Sequence, residues 1–178
     1  MLGEIGVADT PEKCIVVAMK VLDPFDIALL NALQADNRAT ADALARTVAL
    51  SPSAITRRIR RLKDSGVIDR DVSVLSPALA GRRLSAIVQI QLHDHAEEAG
   101  LAVLRQRLLA SNHVQSCLEV SGSFDLFLTV TARDMAEFNA FADTMLAKDA
   151  AIRRYETSFV KKALKQTLAI PLDARDAG

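Results

Sequence analysis

At 178 residues, 50% hydrophobic and 25% charged, with few glycines and prolines, the chain can bury one core or two and lacks the composition of a disordered or fibrous protein. Two cysteines, Cys14 and Cys117, form no CxxC pair, which argues against a disulfide framework or zinc ribbon and suits a reducing cytoplasm. The formal net charge of zero leaves an acidic partner to be recognised locally, because charge acts over a Debye length of about 10 Å.

Residues 1–22 carry no clear period and read as an N-terminal extension, expected to be a partly ordered arm. No basic start of a signal peptide is present there, and no apolar run reaches the roughly 18 residues that span a bilayer. A cytoplasmic chain with no membrane partner is expected. Asp23 followed by Pro24 is an N-cap with proline at the first helical position, and Ile27, Leu29, Leu30 and Leu33 supply the apolar stripe of a helix ending near Asp36-Asn37. Thr40 caps a short second helix that buries Leu44, Ala45 and Val48.

Ser51-Pro52 repeats the cap-plus-proline start, and Ile55, Ile59 and Leu62 recur on one face of a third helix. At about 100° per residue, Ser53, Thr56, Arg57, Arg60 and Arg61 fall on the opposite face, with Arg58 and Lys63 at the edges. Between Ser51 and Gly66 five bases stand against one acid, Asp64. Ser65-Gly66 stops the helix, and Val67 to Leu75 reads as a short hairpin or wing. Such a basic helix is either a solvated surface or a reader of nucleic acid, and the two helices before it favour the reader. In a winged helix-turn-helix the third helix enters the major groove, where Arg pairs with guanine and Ser or Thr reaches several acceptors.

Residues 76–84 hold proline and glycine without a period and read as a linker. Ala86, Val88, Ile90 and Leu92 then alternate with Ile87, Gln89 and Gln91 as a strand, and Leu101, Leu104 and Leu108 mark a helix. Val114–Val120 and Phe124–Thr131 are two further strands. Asp134 opens a helix lined by Met135, Phe138, Phe141 and Met145, with Glu137 in a capping-box-like position, and Arg154–Val160 is the last strand. The order is βαββαβ, the split arrangement in which an antiparallel sheet carries both helices on one face. Ile87 and Phe127 place apolar groups on the other face, so a dimer is expected to cover it.

Two motifs carry alternative readings. His93-Asp94-His95 has alternate residues on one strand face, as metal ligands would, but with no further ligands nearby a polar strand end is preferred and no metal is expected. In Ser121-Gly122-Ser123-Phe124-Asp125, glycine permits unusual backbone angles and Asp125 is a candidate acceptor for an ammonium group; by physics alone, a hairpin turn whose aspartate caps its own backbone is preferred. Catalytic groupings of Ser, His, Asp or Cys are not evident by spacing, so no catalytic residue and no cofactor is expected.

LDPFDIALLNALQADNRAT, LARTVALSPSAITRRIRRLKDSGVI and SGSFDLFLTV together resemble the leucine-responsive and asparagine-synthesis regulators, the Lrp/AsnC family, over roughly residues 22 to 172. The resemblance implies an α+β chain, with a winged helix-turn-helix at 23–75, a linker at 76–84, a ferredoxin-like ligand-sensing and oligomerisation domain, often abbreviated RAM, at 85–172, and a tail at 173–178. It implies a sequence-specific transcription regulator and not an enzyme, bound to double-stranded DNA at pseudo-palindromic operators and responsive to an amino acid or related metabolite. Homodimers associating further, commonly into octamers, are also implied. SPSAITRRIRRL matches the recognition helix, which assigns DNA contacts to Ser53, Thr56, Arg57, Arg60 and Arg61; the Gly-x-x-Asp signature assigns effector contacts to Ser121, Gly122, Ser123 and Asp125. Leu126 departs from the aromatic residue common after that aspartate. An alternative within the same architecture is an enzyme resembling siroheme decarboxylases, against which the intact basic helix argues.

Overall fold

The computed structural model describes residues 22–93 and 97–177, so the expected N-terminal arm and Asp94-His95 of the His-Asp-His triplet lie outside the described residues. The described residues divide into two compact units, one formed by residues 74–164 and one that joins residues 22–73 with the tail from Lys165.

In the helical unit, α1 (Pro24–Ala35) starts from a reciprocal capping box. The Asp26 N–H donates to Asp23 Oδ1 at 2.9 Å and the Asp23 N–H donates to Asp26 Oδ2 at 3.2 Å, so two otherwise orphaned donors are matched. The short α2 (Ala41–Leu44) is capped by Thr40, whose Oγ1 accepts the Ala43 N–H. α3 (Pro52–Asp64) starts at Ser51 as its sequence predicts, with Oγ accepting from Ala54 N–H. Leu29, Leu44, Val48 and Ile55 form the shared core, with Leu50 and Ile59 packed against it. Gly66 ends α3 at φ +74°, the left-handed region that L side chains rarely adopt.

Beyond Gly66 the expected hairpin does not form: residues 67–76 contain no strand. Lys63 Nζ holds the segment at Asp71 Oδ2, 2.6 Å away. The segment from Lys165 packs within the helical unit. Gln34 on α1 accepts from the Ile170 N–H at 2.7 Å and donates to the Ile170 carbonyl at 2.9 Å. Asn31, one turn earlier, makes the same pair of bonds with Leu172 at 3.2 and 2.9 Å.

The second unit opens with a short helical turn, α4 (Pro77–Ala80), and follows the expected βαββαβ order. Its elements are β1 (Leu84–Leu92), α5 (Glu98–Ala110), β2 (Val114–Glu119), β3 (Leu126–Ala132), α6 (Met135–Met145) and β4 (Ile152–Phe159). The sheet runs β2-β3-β1-β4, antiparallel throughout, with Val88 opposite Leu128 on β3 and Thr157 on β4. Ala86, Val88, Ile90, Leu126, Leu128, Val130 and Ala132 alternate onto one face and bury against Leu104 and Leu108 of α5 and Phe138, Phe141 and Ala142 of α6. The other face carries Ile87, Phe127 and the 58% exposed Leu118, but Gln89, Thr129 and Glu156 stand among them. The expected apolar second face is therefore mixed.

Candidate functional site

The chemistry of α3 is set by where each basic side chain is held. Arg57 is exposed and has no ion-pair partner among the described residues. Arg60 points into solvent, its Nε 3.7 Å from Asp64 Oδ2, a long i,i+4 pair between exposed groups that adds little stability. Ser53 Oγ lies 3.2 Å from Ser51 Oγ, and the Thr56 hydroxyl donates to the Pro52 carbonyl, which leaves its oxygen facing outward as an acceptor. No acidic residue occupies the first turn, so the positive end of the helix dipole is open to a phosphate.

Arg61 is exposed as the helical wheel expects, its side chain 43% accessible, but unlike Arg57 it is also paired: its Nη2 donates to Asp26 Oδ2 at 2.5 Å. Arg58 joins the same network through Asp26 Oδ1 at 2.9 Å and Asp23 Oδ2 at 2.6 Å, and it stacks over the Phe25 ring at 5.6 Å. Burial alone would raise the Asp23 carboxyl, but hydrogen bonds from the Asp26 N–H and from Arg58 outweigh it and hold it below the ordinary aspartate value. Hydrogen bonds to Asp23 and then Asp26 push Arg58 upward. The network was missed because Asp26 looks, in sequence, like an ordinary first-turn helix acid.

In the second unit, Ser121, Gly122 and Ser123 form an exposed turn between β2 and β3, and Asp125 is half-buried beside them. Asp125 does not cap its own backbone: its Oδ2 accepts the Leu92 N–H of β1 at 2.8 Å. Its N–H donates to the Ile90 carbonyl and its carbonyl accepts the Val120 N–H, so the residue ties three strands at one end of the sheet. Oδ1 takes no hydrogen bond among the described residues. Gly122 has no positive φ, and an added Cβ would meet nothing within 4 Å, so the unusual backbone expected there is not required by the chain's own fold.

One cation near this turn was missed by sequence reasoning. Arg154 on β4 lies over the Phe124 ring at 5.2 Å, with Nε on Gln91 Oε1 at 2.9 Å. The signal was strand register: Arg154 pairs with Gln91, the residue before Leu92. Among the described residues, no group of three or more His, Cys, Asp or Glu side chains is arranged to hold a metal, and no helix is long and apolar enough to cross a membrane.

Two family models match consecutive parts of the chain: a winged helix-turn-helix DNA-binding domain over residues 22–69 and the Lrp/AsnC ligand binding domain over residues 85–170. The chain belongs to the Lrp/AsnC family. An HTH-type transcriptional regulator of Sinorhizobium fredii is 37% identical across 85% of this chain and 89% of its own length. The leucine-responsive regulatory protein of Haemophilus influenzae is 34% identical across 83% of this chain and 89% of its own. A transcriptional regulator of Neisseria meningitidis, solved as a complex with L-Met, superposes with a TM-score of 0.78 at 30% identity, covering 85% of this chain and 97% of that one. This Lrp/AsnC chain is a DNA-binding transcription regulator with a ligand-binding domain.

Proposed function

We propose that this regulator binds operator DNA through the N-terminal face of α3 and adjusts its occupancy to an amino acid held at the turn Ser121–Asp125. On α3 the reading residues are Ser53, Thr56, Arg57 and Arg60, while Arg61 serves the fold. The observation that carries the DNA reading is that Arg57 and Arg60 stand outward beside an acid-free helix start, while Arg58 and Arg61 are paired with the buried Asp26. A homodimer presents two such helices to successive major grooves about 34 Å apart, which requires a pseudo-palindromic site.

For the effector, Asp125 offers an acceptor for an ammonium group, and the exposed turn of Ser121, Gly122 and Ser123 offers backbone donors for a carboxylate. The reading is supported by the L-Met complex of the Neisseria regulator. A glycine that the isolated fold does not need also fits a site completed by a ligand or a second copy approaching the backbone. Homodimerisation through the mixed sheet face, and assembly beyond the dimer, belong to the same proposal. An effector acts only if it binds one assembly or DNA-bound state more tightly than another.

Calorimetry of the full chain against the amino acids, L-Met included, tests the sensor. A binding heat for at least one, weakened by Ser123→Trp, is expected; silence across the whole panel contradicts it.

A further inference from the structure

The basic side chains of α3 are not equivalent, and the cause lies on α1. The Asp26 side chain is 0% exposed, and a carboxylate removed from water persists only when charge and hydrogen bonds match its oxygens. Arg58 Nη1 donates to its Oδ1 at 2.9 Å and Arg61 Nη2 to its Oδ2 at 2.5 Å, while the Asp23 N–H adds a bond to Oδ2 at 3.2 Å. Arg58 and Arg61 stand at i and i+3, neighbours on one side of the helix, so a single carboxylate grips α3 at two points.

That grip differs in kind from the packing of Ile55, Ile59 and Leu62. Apolar burial is non-directional and tolerates rotation of a helix within its groove. A rotation by one residue turns every side chain by about 100° and would break both ion pairs. We propose that Asp26 is a positioning residue for DNA recognition: it sets the rotation of α3 and withholds Arg58 and Arg61 from the phosphate backbone. Sequence-independent affinity scales with the number of phosphates neutralised, whereas base contacts carry sequence information. Engaging two of the helix's arginines internally lowers the first without touching Ser53, Thr56 and Arg57, which face the bases.

Binding of the full chain to a random-sequence duplex, measured by fluorescence anisotropy across a salt series, tests this for wild type, Arg61→Gln and Asp26→Asn. Each phosphate contact contributes about 0.9 to the slope of log affinity against log salt. Arg61→Gln, which leaves Asp26 paired with Arg58, is expected to keep the wild-type slope. Flattening by about 0.9 per copy of α3 would put Arg61 on a phosphate and overturn the proposal. In folded Asp26→Asn the released arginine is expected to steepen the slope by about 0.9 per copy and to raise random-sequence affinity several-fold at low salt. An unchanged slope in that folded variant also overturns it. Where thermal unfolding shows that Asp26→Asn does not fold, Arg61→Gln decides alone.

Discussion

Arg57 carries the sharpest residue-level expectation, because nothing among the described residues competes for its guanidinium. Arg57→Ala should weaken operator binding by about 1–3 kcal/mol if the side chain pairs with a base, and relax sequence preference at one position. Equal losses on operator and random duplexes, compared in one titration, would move it to the phosphate class. Asp23 gives a pH signature. Its carboxyl is held below its ordinary value of 3.8 in the folded chain, so its contribution is fully present above that value and fades as pH falls through the folded one. The stability difference between wild type and Asp23→Asn, read from urea midpoints, should therefore be constant near neutrality and shrink on the acid side of 3.8. Its direction is the test, since the group is partly exposed and solvent screening keeps the effect small. At this scale the sequence was a fair guide to side-chain direction and a poor one to reach. The helical wheel places Ser53, Thr56, Arg57 and Arg60 outward as found. Arg61 is exposed as well, but the wheel does not show that its long side chain also reaches an acid 35 residues earlier in the chain.

Elements were legible where a local signal specified them. Asp23-Pro24, Thr40 and Ser51-Pro52 mark helix starts that the backbone follows, and alternation along β1 and β3 assigns their buried faces. Residues 67–75 form no strand although Val72 and Val74 alternate with polar residues as a strand would; the segment is instead held by Lys63 on Asp71. The tail was illegible for a different reason. Its docking depends on two side-chain amides of α1, spaced three residues apart, meeting the backbone of Ile170 and Leu172, and no periodicity announces such a contact. Amide hydrogen exchange checks it: the Ile170 and Leu172 N–H groups should exchange more slowly than those of Lys165–Leu168. Asn31→Ala should release Leu172 while leaving Ile170 protected, because each residue has its own amide partner. Loss of protection at neither position would contradict the docking. In α3, Leu62 is 1% exposed, and Leu62→Ala should cost about 2–5 kcal/mol in stability, read from denaturant midpoints.

For the whole molecule, the family follows from the order of two modules more than from either one. A basic third helix alone is compatible with a solvated surface, and a βαββαβ sheet alone supports many functions. The turn Ser121–Asp125, proposed here as the effector site, was singled out from sequence, but its setting was not: Asp125 caps β1 rather than itself, and Arg154 arrives from β4 through strand register. The central claim joins the modules into one regulator, with DNA at α3 and an amino acid at the turn. Genome-wide footprinting of the full chain, with and without each amino acid, tests that claim most directly. The expected result is a set of discrete sites built from half-sites about one helical turn apart, whose occupancy changes with at least one amino acid. Sequence-independent coverage, or discrete sites indifferent to every amino acid, would contradict it.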